Sequence, residues 1–270
     1  MPDQSATSSV QIPGPLNGRV ALVTGCGSPD GIGFAAAREL ARQGASVAIT
    51  STTERIQQRV AELTAEGYSA IGVAAELTAA EQVQRLVQTV LRQFGRIDIL
   101  VNNAGMVQVG MDLPSAPFAE LSEDAWDRTI AVNLKTAFLV TRAVVPHMVA
   151  RKYGRIVNVS SITGPVTAID GSSGYGTAKA GMDGLTRSLA LELGPSGITA
   201  NSVAPGWIQT ASSSPEEILA GKYTPVGRPG RPDEVASLIA FLASESCSYL
   251  TGQSIAIDGA NTLQEYRSPA

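Results

Sequence analysis

Histidine and cysteine are scarce in this sequence, which has one His and two Cys among 270 residues. His147, Cys26 and Cys247 share no spacing that suits a metal ion, so we predict no metal site. His147 lies within the apolar run AVVPHMVA, where a packed helix histidine is a simpler interpretation than the base of a Ser-His-Asp triad. The scarcity therefore excludes zinc chemistry and disfavours hydrolysis by a triad.

Disulfides, secretion and membrane insertion have no support in the sequence either. The two cysteines lack a CxxC spacing, which is typical of a protein from a reducing cytoplasm. The first residues, MPDQSATSSVQIPGP, have neither a basic start nor an apolar stretch, so we expect a flexible tail over residues 1–17 and no signal peptide. No apolar run approaches the roughly 18 residues that a membrane helix needs. We predict a soluble, cytoplasmic protein with no membrane partner.

Positive charge is also sparse. The formal net charge is -4, and no block of Lys and Arg is interleaved with aromatic residues, so nucleic acid is not an expected partner. Apolar residues make up 44% of the chain and charged residues 16%, which is enough material for a large core. We predict a single domain over residues 18–259, followed by a C-terminal tail over 260–270.

Short apolar runs alternate with longer segments that have the period of a helix. Each run is apolar on both flanks, and a segment of helix length joins it to the next, which is typical of a parallel sheet covered on both faces. The sequence therefore predicts an α/β fold, a single-domain, doubly wound parallel sheet of the Rossmann type with helices on both faces. The runs that we assign to strands are RVALVTG, SVAIT, SAIGVAA, IDILVNNAG, GRIVNVSS, GITANSVAPG and SIAIDG.

The segment TGCGSPDGIG, residues 24–33, separates the first strand from the first crossover helix. Glycines there permit a tight turn and close approach of a ligand to the backbone. The helix N-terminus behind them presents free N–H groups to a pyrophosphate. The spacing departs from the strict GxGxxG fingerprint, so a plain structural turn stays open as an alternative.

Tyr175 and Lys179 stand four residues apart in GYGTAKA, and Ser161 precedes them in NVSSITG. Residues at this spacing share one face of a helix. Bringing a tyrosine pKa from about 10 to near neutrality takes roughly three units, or about 4 kcal/mol, which a nearby ammonium and a cationic nicotinamide ring could supply together. Tyr175 is therefore a candidate general acid that protonates a carbonyl oxygen, with Ser161 donating a hydrogen bond to the same oxygen. Taken singly, a Tyr and a Lys at this spacing also occur by chance on exposed helices.

Several short motifs in a fixed order resemble the short-chain dehydrogenase/reductase family. The resemblance covers about residues 18–259, and within the family the chain is most similar to the 3-oxoacyl-carrier-protein reductase type of NAD(P)H-dependent ketone reductase. The motifs are TG...GIG, NNAG (102–105), VNL (132–134), SSITG (160–164), YxxxK (175–179), APG (204–206) and TGQSIAIDG (251–259).

The resemblance implies a catalytic tetrad. Tyr175 matches the acid/base, Lys179 the residue that binds the nicotinamide ribose and lowers the tyrosine pKa, and Ser161 the hydroxyl that orients the substrate. Asn133 matches the asparagine that holds a water through its helix backbone and links the lysine to solvent as a proton relay.

The resemblance also implies the contacts to the cofactor. The segment at Asn103 is expected to pack along the adenosine ribose, Glu76 to lie beside the adenine amino group, and residues 205–210 to place the nicotinamide carboxamide. The stretch 205–210 also leads into a substrate lid over about 207–227. The expected cofactor-binding residues are Gly25, Ser28, Gly31, Ile32, Ser51, Thr52, Thr53, Glu76, Leu77, Asn103, Ala104, Gly105, Tyr175, Lys179, Pro205, Gly206, Ile208 and Thr210.

The glycine loop is longer here than in the family. CGSPD places five residues between Gly25 and Gly31, where the family has three, so which of Cys26, Gly27 and Ser28 touches the cofactor is left open. Because Cys26 lies inside this loop, we expect its alkylation to block cofactor entry.

The end of the second strand favours NADPH/NADP+ over NADH/NAD+. NAD-specific members carry an acidic residue at the position of Ser51, where it binds the ribose diol and repels a 2'-phosphate. Here Ser51, Thr52 and Thr53 form a run of hydroxyls with Arg55 close behind, a set that can accept a phosphate. Asp30 argues for NAD, because many NADP-dependent relatives have a basic residue there.

Substrate identity is left open by the sequence. Residues 107–122 and the lid contain Met, Pro and Phe, which suggests an apolar ketone. A carrier-bound substrate would need a basic docking surface near the entrance, for which Arg151, Lys152 and Arg155 are candidates. Leu191, however, stands where carrier-using relatives often have arginine.

The sequence thus predicts an oxidoreductase that reduces a ketone to a secondary alcohol with NADPH. NAD-dependent oxidation of a sugar or steroid alcohol and carrier-linked 3-oxoacyl reduction stay open as alternatives, and a non-catalytic nucleotide-binding role has the least support. The family further implies a homotetramer, or a homodimer, built through helices at 123–149 and 174–193 and through the last strand.

Overall fold

One sheet of seven parallel strands runs through residues 14–105 and 115–265, the parts of the chain that the computed structural model describes. Apolar side chains cover both faces of its central strands, which explains why those strands read as continuous apolar runs in the sequence. The strands are β1 (Val20–Val23), β2 (Ser46–Ser51), β3 (Ala70–Ala74), β4 (Ile99–Asn102), β5 (Gly154–Val159), β6 (Ile198–Pro205) and β7 (Ser254–Ile257).

The winding of the chain reverses beside β1. This strand pairs with β2 on one side and with β4 on the other, which gives the order β3-β2-β1-β4-β5-β6-β7. In open sheets of this kind, ligands bind in the crevice beyond the carboxyl ends of the strands at the point of reversal. The predicted doubly wound sheet is confirmed, and it places a crevice between the ends of β1 and β4.

Helices cover both faces of the sheet. Phe34 and Ile239 belong to the buried cluster on one face, and Leu86 and Val144 belong to the cluster on the other. The helices are α1 (Ile32–Arg42), α2 (Ile56–Ala65), α3 (Ala80–Phe94), α4 (Glu123–Ile130), α5 (Thr136–Arg151), α6 (Ser173–Leu193), α7 (Pro215–Lys222) and α8 (Pro232–Leu242).

The helix expected over 123–149 is divided into two. Residues Ala131–Lys135 form a π-helical turn between α4 and α5. Such turns are frequent at functional sites, because the extra residue rotates the side chains that follow it. This one carries Asn133.

The packed body extends beyond both domain boundaries that the sequence suggested. Leu16 is 1% exposed and its N–H donates to Gln43 O over 3.0 Å, although it falls within the predicted N-terminal tail. Asn261 is 3% exposed in a short 3-10 turn, although it falls within the predicted C-terminal tail. The remainder of both tails, 1–13 and 266–270, lies outside the described residues.

Across the two described ranges, no helix combines the length and the apolar character that spanning a bilayer requires.

Candidate active site

The carboxyl ends of β1, β4, β5 and β6 open into a cleft with a volume of about 370 Å³. It lies where the winding reverses, as expected for a ligand site in this fold. Most of the predicted site residues come together there. Those that line the cleft are Gly25, Ser28, Gly31, Ile32, Asn103, Gly105, Ser161, Tyr175, Lys179, Pro205, Gly206, Ile208 and Thr210.

Two glycines allow the turn after β1 to approach the end of β4. Gly25 has φ +73°, and a Cβ on it would stand 2.8 Å from Asn103 Nδ2 and 2.9 Å from Ala104 Cα. A Cβ on Gly33, in the first turn of α1, would stand 2.6 Å from Gly25 O. A larger side chain at either position would push apart the two segments that form the floor of the cleft.

Asn103 and Thr24 join these two segments directly. Asn103 Nδ2 donates to Thr24 O and Gly25 O over 3.0 and 3.1 Å, while Thr24 Oγ1 accepts from the N–H groups of Asn103 and Ala104 over 3.0 and 2.9 Å. The side-chain amide of Asn103 therefore fixes the position of the glycine loop. These hydrogen bonds hold the end of β4 against the turn after β1.

The N-terminus of α1 faces the cleft without a capping side chain. Gly31 is its N-cap residue, no side chain accepts from its first N–H groups, and its first turn carries no acidic residue. The free N–H groups and the helix dipole favour a bound anion at this point. Together with the close approach at Gly25 and Gly33, this arrangement fits the pyrophosphate of a dinucleotide.

Ser161, Tyr175 and Lys179 converge on the other side of the cleft. Ser161 follows the end of β5, and Tyr175 and Lys179 share one face of α6. The Ser161 side chain lowers the pKa of the Tyr175 phenol, and Ser161 Oγ accepts from Thr163 N over 3.0 Å. Lys179 Nζ lies 5.6 Å from the centroid of the Tyr175 ring and donates to Val159 O over 2.9 Å. The geometry expected from the YxxxK spacing is present.

Asn133 lies behind this group and does not line the cleft. It is fully buried in the π-helical turn, and its Nδ2 donates to Thr129 O over 3.0 Å. A Cβ on Gly105 would stand 3.0 Å from Asn133 Oδ1 and 3.5 Å from Lys179 Nζ. Gly105 therefore lets the backbone after β4 pass close to both side chains.

Burial governs the ionisation of the tyrosine and lysine. It raises the pKa of Tyr175 above its ordinary value, and the negative charge of Glu217 raises that pKa further, while the hydrogen bond from Ser161 opposes both. Burial also lowers the pKa of Lys179 to about 8, against the opposing effect of Asp183. We expected the lysine to bring the tyrosine pKa towards neutrality. Within the protein alone, desolvation raises the pKa of Tyr175 instead.

The hydroxyls after β2 lie beside the glycine loop. Ser51 Oγ donates to Thr53 O over 2.8 Å, and Arg55 Nε donates to Thr53 Oγ1 over 3.2 Å. A Cβ on Gly27 would stand 3.1 Å from Ser51 Cβ and 3.3 Å from an Arg55 guanidinium nitrogen. Ser51 and Arg55 thus flank the loop on the side of β2, outside the lining of the cleft itself.

Four other predicted residues also stand apart from the cleft lining. Glu76 Oε1 accepts from the N–H and Oγ1 of Thr78 over 3.1 and 2.9 Å, and Leu77 is 5% exposed within the core. Thr52 is exposed beside Ser51, and Ala104 packs against the core cluster that contains Leu77.

Two further segments line the cleft. The sequence-based prediction named no site residue after Ser161 in the first, the loop between β5 and α6, and in the second, the predicted lid, it missed the helix α7 and the lining residues after Thr210. Their position in the chain, directly after predicted site residues, was the available signal. The lining residues from these segments include Thr163, Thr167, Ile169, Ser172, Ser213, Glu217 and Ile218. Ser115 and Asn261 also contribute, the second from a segment that we had expected to be a tail.

Cys26 is not placed as we expected. The residue is fully buried, its Sγ lies 3.4 Å from Val23 O, and burial raises the pKa of its thiol far above the ordinary value. An inaccessible and protonated thiol does not react with alkylating agents. Because the side chain turns into the core and away from the cleft, the expected block of cofactor entry by alkylation does not follow.

The basic docking cluster was also wrongly placed. Arg155 stands at the start of β5, whereas Ser161 follows its end, so the two lie at opposite edges of the sheet. Arg155 is 3% exposed and donates to Gly197 O and Glu245 Oε2 over 3.3 and 3.1 Å. Only Arg151 and Lys152 of the proposed cluster are exposed, and neither lines the cleft.

Among the described residues, no group of His, Cys, Asp and Glu could hold a metal ion. Part of the predicted roof over 107–122, residues 107–114, lies outside the described residues.

Comparisons with known proteins agree over nearly the whole chain. A family model described as Enoyl-(Acyl carrier protein) reductase matches residues 25–261. Oxidoreductase UcpA of Escherichia coli K12 is 39% identical over 93% of this chain and 97% of its own. The 3-oxoacyl-[acyl-carrier-protein] reductase FabG of Thermotoga maritima is 40% identical over 90% of this chain and 98% of its own. A short-chain dehydrogenase/reductase mutant of Serratia marcescens superposes with a TM-score of 0.82 at 32% identity, over 92% of this chain and 99% of its own.

Proposed function

The chain belongs to the short-chain dehydrogenase/reductase family of oxidoreductases, and from that premise we propose that it reduces a ketone to a secondary alcohol with NADPH, using Tyr175 as the general acid. The observation that carries this proposal is the convergence of Ser161, Tyr175 and Lys179 on one wall of the cleft, opposite the uncapped N-terminus of α1.

Tyr175, Ser161 and Lys179 each have a distinct role in the proposed reaction. The phenol of Tyr175 is protonated at neutral pH and donates its proton to the carbonyl oxygen of the substrate. Ser161 donates a hydrogen bond to the same oxygen, where negative charge develops. Lys179, held against Val159 O, supplies positive charge behind the tyrosine ring. The cofactor, when bound, supplies the hydride.

The glycine loop and the strand ends suit a dinucleotide. Gly25, Gly31 and Ile32 would hold the pyrophosphate at the helix N-terminus, and Pro205 and Gly206 lie where the nicotinamide end would rest. Ser51 and Arg55, beside the loop, would receive a 2'-phosphate. We infer a preference for NADPH from this pair.

The choice of cofactor is tested at Ser51. Ser51→Asp places a carboxylate where a 2'-phosphate would bind, and we expect the ratio of kcat/KM for NADPH to that for NADH to fall at least tenfold. Thr64→Asp, an exposed change on α2, is the control for added charge alone. An unchanged ratio in Ser51→Asp would refute the assigned phosphate site.

A free ketone is a better candidate than a carrier-bound one. The FabG relative supports carrier-linked reduction, but Arg155, part of the expected docking cluster, is buried at the far edge of the sheet. Oxidation of an alcohol by the same residues is the reverse reaction at the same site. The test is the loss of NADPH absorbance against a panel of ketones, with the same panel presented as carrier thioesters.

We also propose a homotetramer in the cytoplasm. The apolar side chains of Phe138 on α5 and Leu191 on α6 are 43% and 82% exposed, which suits helices that pack against other copies. Both cysteines are unpaired, as in proteins of a reducing compartment. Light scattering on the purified protein gives the number of chains.

A further inference from the structure

A carboxylate of the lid lines the same cleft as the reacting group. Glu217 lies in the first turn of α7 and lines the same cleft as Tyr175. Its negative charge acts on the tyrosine phenol, whose pKa it raises. The field of the lid carboxylate therefore reaches the atom that exchanges a proton with the substrate.

The position of Glu217 is fixed by a capping box. Ser214 N donates to Glu217 Oε2 over 2.9 Å, and Ser214 Oγ accepts from Glu217 N over 3.2 Å. With these two reciprocal hydrogen bonds, Ser214 and Glu217 cap the N-terminus of α7. No described residue donates a hydrogen bond to Oε1, the other oxygen, so a ligand can use it.

The described lining of the cleft offers no second cation to balance this charge. Glu217 and Lys179 are the charged side chains that line the cleft within the described ranges. Lys179 is 3% exposed and its Nζ donates to Val159 O. Its ammonium group is therefore not available to pair with a substrate group next to the lid. An anionic substituent placed there would meet Glu217 with no arginine or free lysine to pair with it.

Hydroxyl groups surround the same part of the cleft. Thr163, Thr167 and Ser172 line it from the loop before α6, and Ser212 and Ser213 line it from the lid. This wall can accept and donate hydrogen bonds to a hydroxylated ligand, in contrast to the apolar ketone that composition alone suggested.

We propose that Glu217 is a specificity-determining residue, which selects ketones that carry a hydroxyl or ammonium group near the reacting carbon and rejects those that carry a carboxylate or phosphate there. The inference rests on the proposed ketone reduction. Glu217 accepts a hydrogen bond from the hydroxyl or ammonium group through Oε1, and it repels an anion at the same place.

The test compares ketones of similar size that carry a cationic, neutral or anionic group near the carbonyl. The probes are aminoacetone, hydroxyacetone and pyruvate, together with longer pairs of 3-oxo amides and 3-oxo acids. The wild-type protein is expected to favour the neutral or cationic member of each set by at least tenfold in kcat/KM. Glu217→Gln keeps an oxygen for the Ser214 cap but removes the charge, and it should reduce that preference to threefold or less.

Glu216→Gln is the matched control, because Glu216 is exposed on the same turn and does not line the cleft. It should keep the wild-type preference. A wild-type preference for the carboxylates, or a preference that survives in Glu217→Gln, would overturn the inference.

A second measurement separates this inference from the proposed function. If no ketone is reduced with NADPH or NADH, the proposed reaction is wrong. The ionisation of Tyr175 can still be followed by ultraviolet difference titration against Tyr175→Phe. Glu217→Gln should then lower the midpoint of the Tyr175 titration relative to the wild-type protein and to Glu216→Gln. An equal midpoint in all three would refute the role of Glu217 independently of turnover.

Discussion

The reactivity of individual side chains in this protein depends on how deeply they are buried. Cys26 illustrates the effect, because its burial keeps the thiol protonated and out of reach. We expect iodoacetamide to leave Cys26 unmodified in the native Cys247→Ala variant and to label it fully in denaturant, as measured by intact mass. NADPH binding should survive the native treatment. Rapid native labelling that abolishes binding would restore the view of Cys26 as a reactive cofactor-loop thiol.

Lys179 gives a dependence of stability on pH. Its folded-state pKa of about 8 lies below the ordinary lysine value of 10.5. Between these values the unfolded chain holds a proton that the folded protein has released, so the free energy of unfolding rises with pH by about 1.4 kcal/mol per unit. Below pH 8 both states are protonated, and the full cost of burying the ammonium is present.

This cost predicts that Lys179→Met stabilises the protein at pH 7. Denaturant unfolding should show a gain of about 2 kcal/mol, allowing for the lost hydrogen bond to Val159 O. The gain should shrink as the pH rises from 8 towards 10.5. Lys222→Met, an exposed change on α7, should alter stability by less than about 0.5 kcal/mol at either pH. A gain that does not depend on pH would contradict the assigned burial cost.

Residue types were easier to predict than the direction in which side chains point. Tyr175 and Lys179 share a helix face as their spacing requires. Arg155 follows Arg151 and Lys152 in sequence, but it enters a buried strand at the opposite edge of the sheet from the cleft. Charge and proximity in sequence do not reveal that change of environment. The same holds for Cys26, whose loop faces the cleft while its side chain does not.

At the scale of elements, the turn after β1 makes close contact with the end of β4 and with the first turn of α1. Gly33→Ala would place a methyl group 2.6 Å from Gly25 O, so α1 must shift away from the floor. We expect a loss of about 1–3 kcal/mol in stability and at least a tenfold weaker affinity for NADPH, measured by denaturant unfolding and by cofactor fluorescence.

Gly184→Ala is the control for this change. Gly184 also lies within a helix, but a Cβ there would have nothing within 4 Å. Alanine should therefore raise stability by about 0.5–1 kcal/mol and leave cofactor affinity intact. Equal effects of the two substitutions would show that helix propensity, and not the contact with β4, governs the result.

Strands and helices could be located from the sequence where their positions depend only on which residues are buried. The apolar runs located the seven strands of the described sheet. The central strands are covered on both faces and need apolar side chains throughout. The π-helical turn at Asn133 was not predicted, since one inserted residue leaves the helical period almost unchanged. The lid helix was missed although SPEE, residues 214–217, has the spacing of a capping box with a proline at the first helical position.

At the scale of the whole molecule, the winding of the sheet determines where the chemistry takes place. The reversal of winding between β1 and β4 creates a cleft at the carboxyl ends of four strands. The glycine loop, Asn103, Ser161 and Gly206 follow these strand ends and line the cleft. The order of the motifs was sufficient to predict that assembly. The range of the lid was predicted, but the residues at the substrate end of the cleft were not, because the loop before α6 has no period and takes its position from contacts across the cleft.

The central claim is that this cleft transfers hydride to a ketone with Tyr175 as the proton donor. The most direct test measures the loss of NADPH absorbance with a ketone substrate of the wild-type protein, side by side with Tyr175→Phe. NADPH binding is followed separately by fluorescence. The account predicts that Tyr175→Phe binds NADPH with near wild-type affinity and reduces the ketone at least a hundredfold more slowly. Reduction by Tyr175→Phe at the wild-type rate would contradict it.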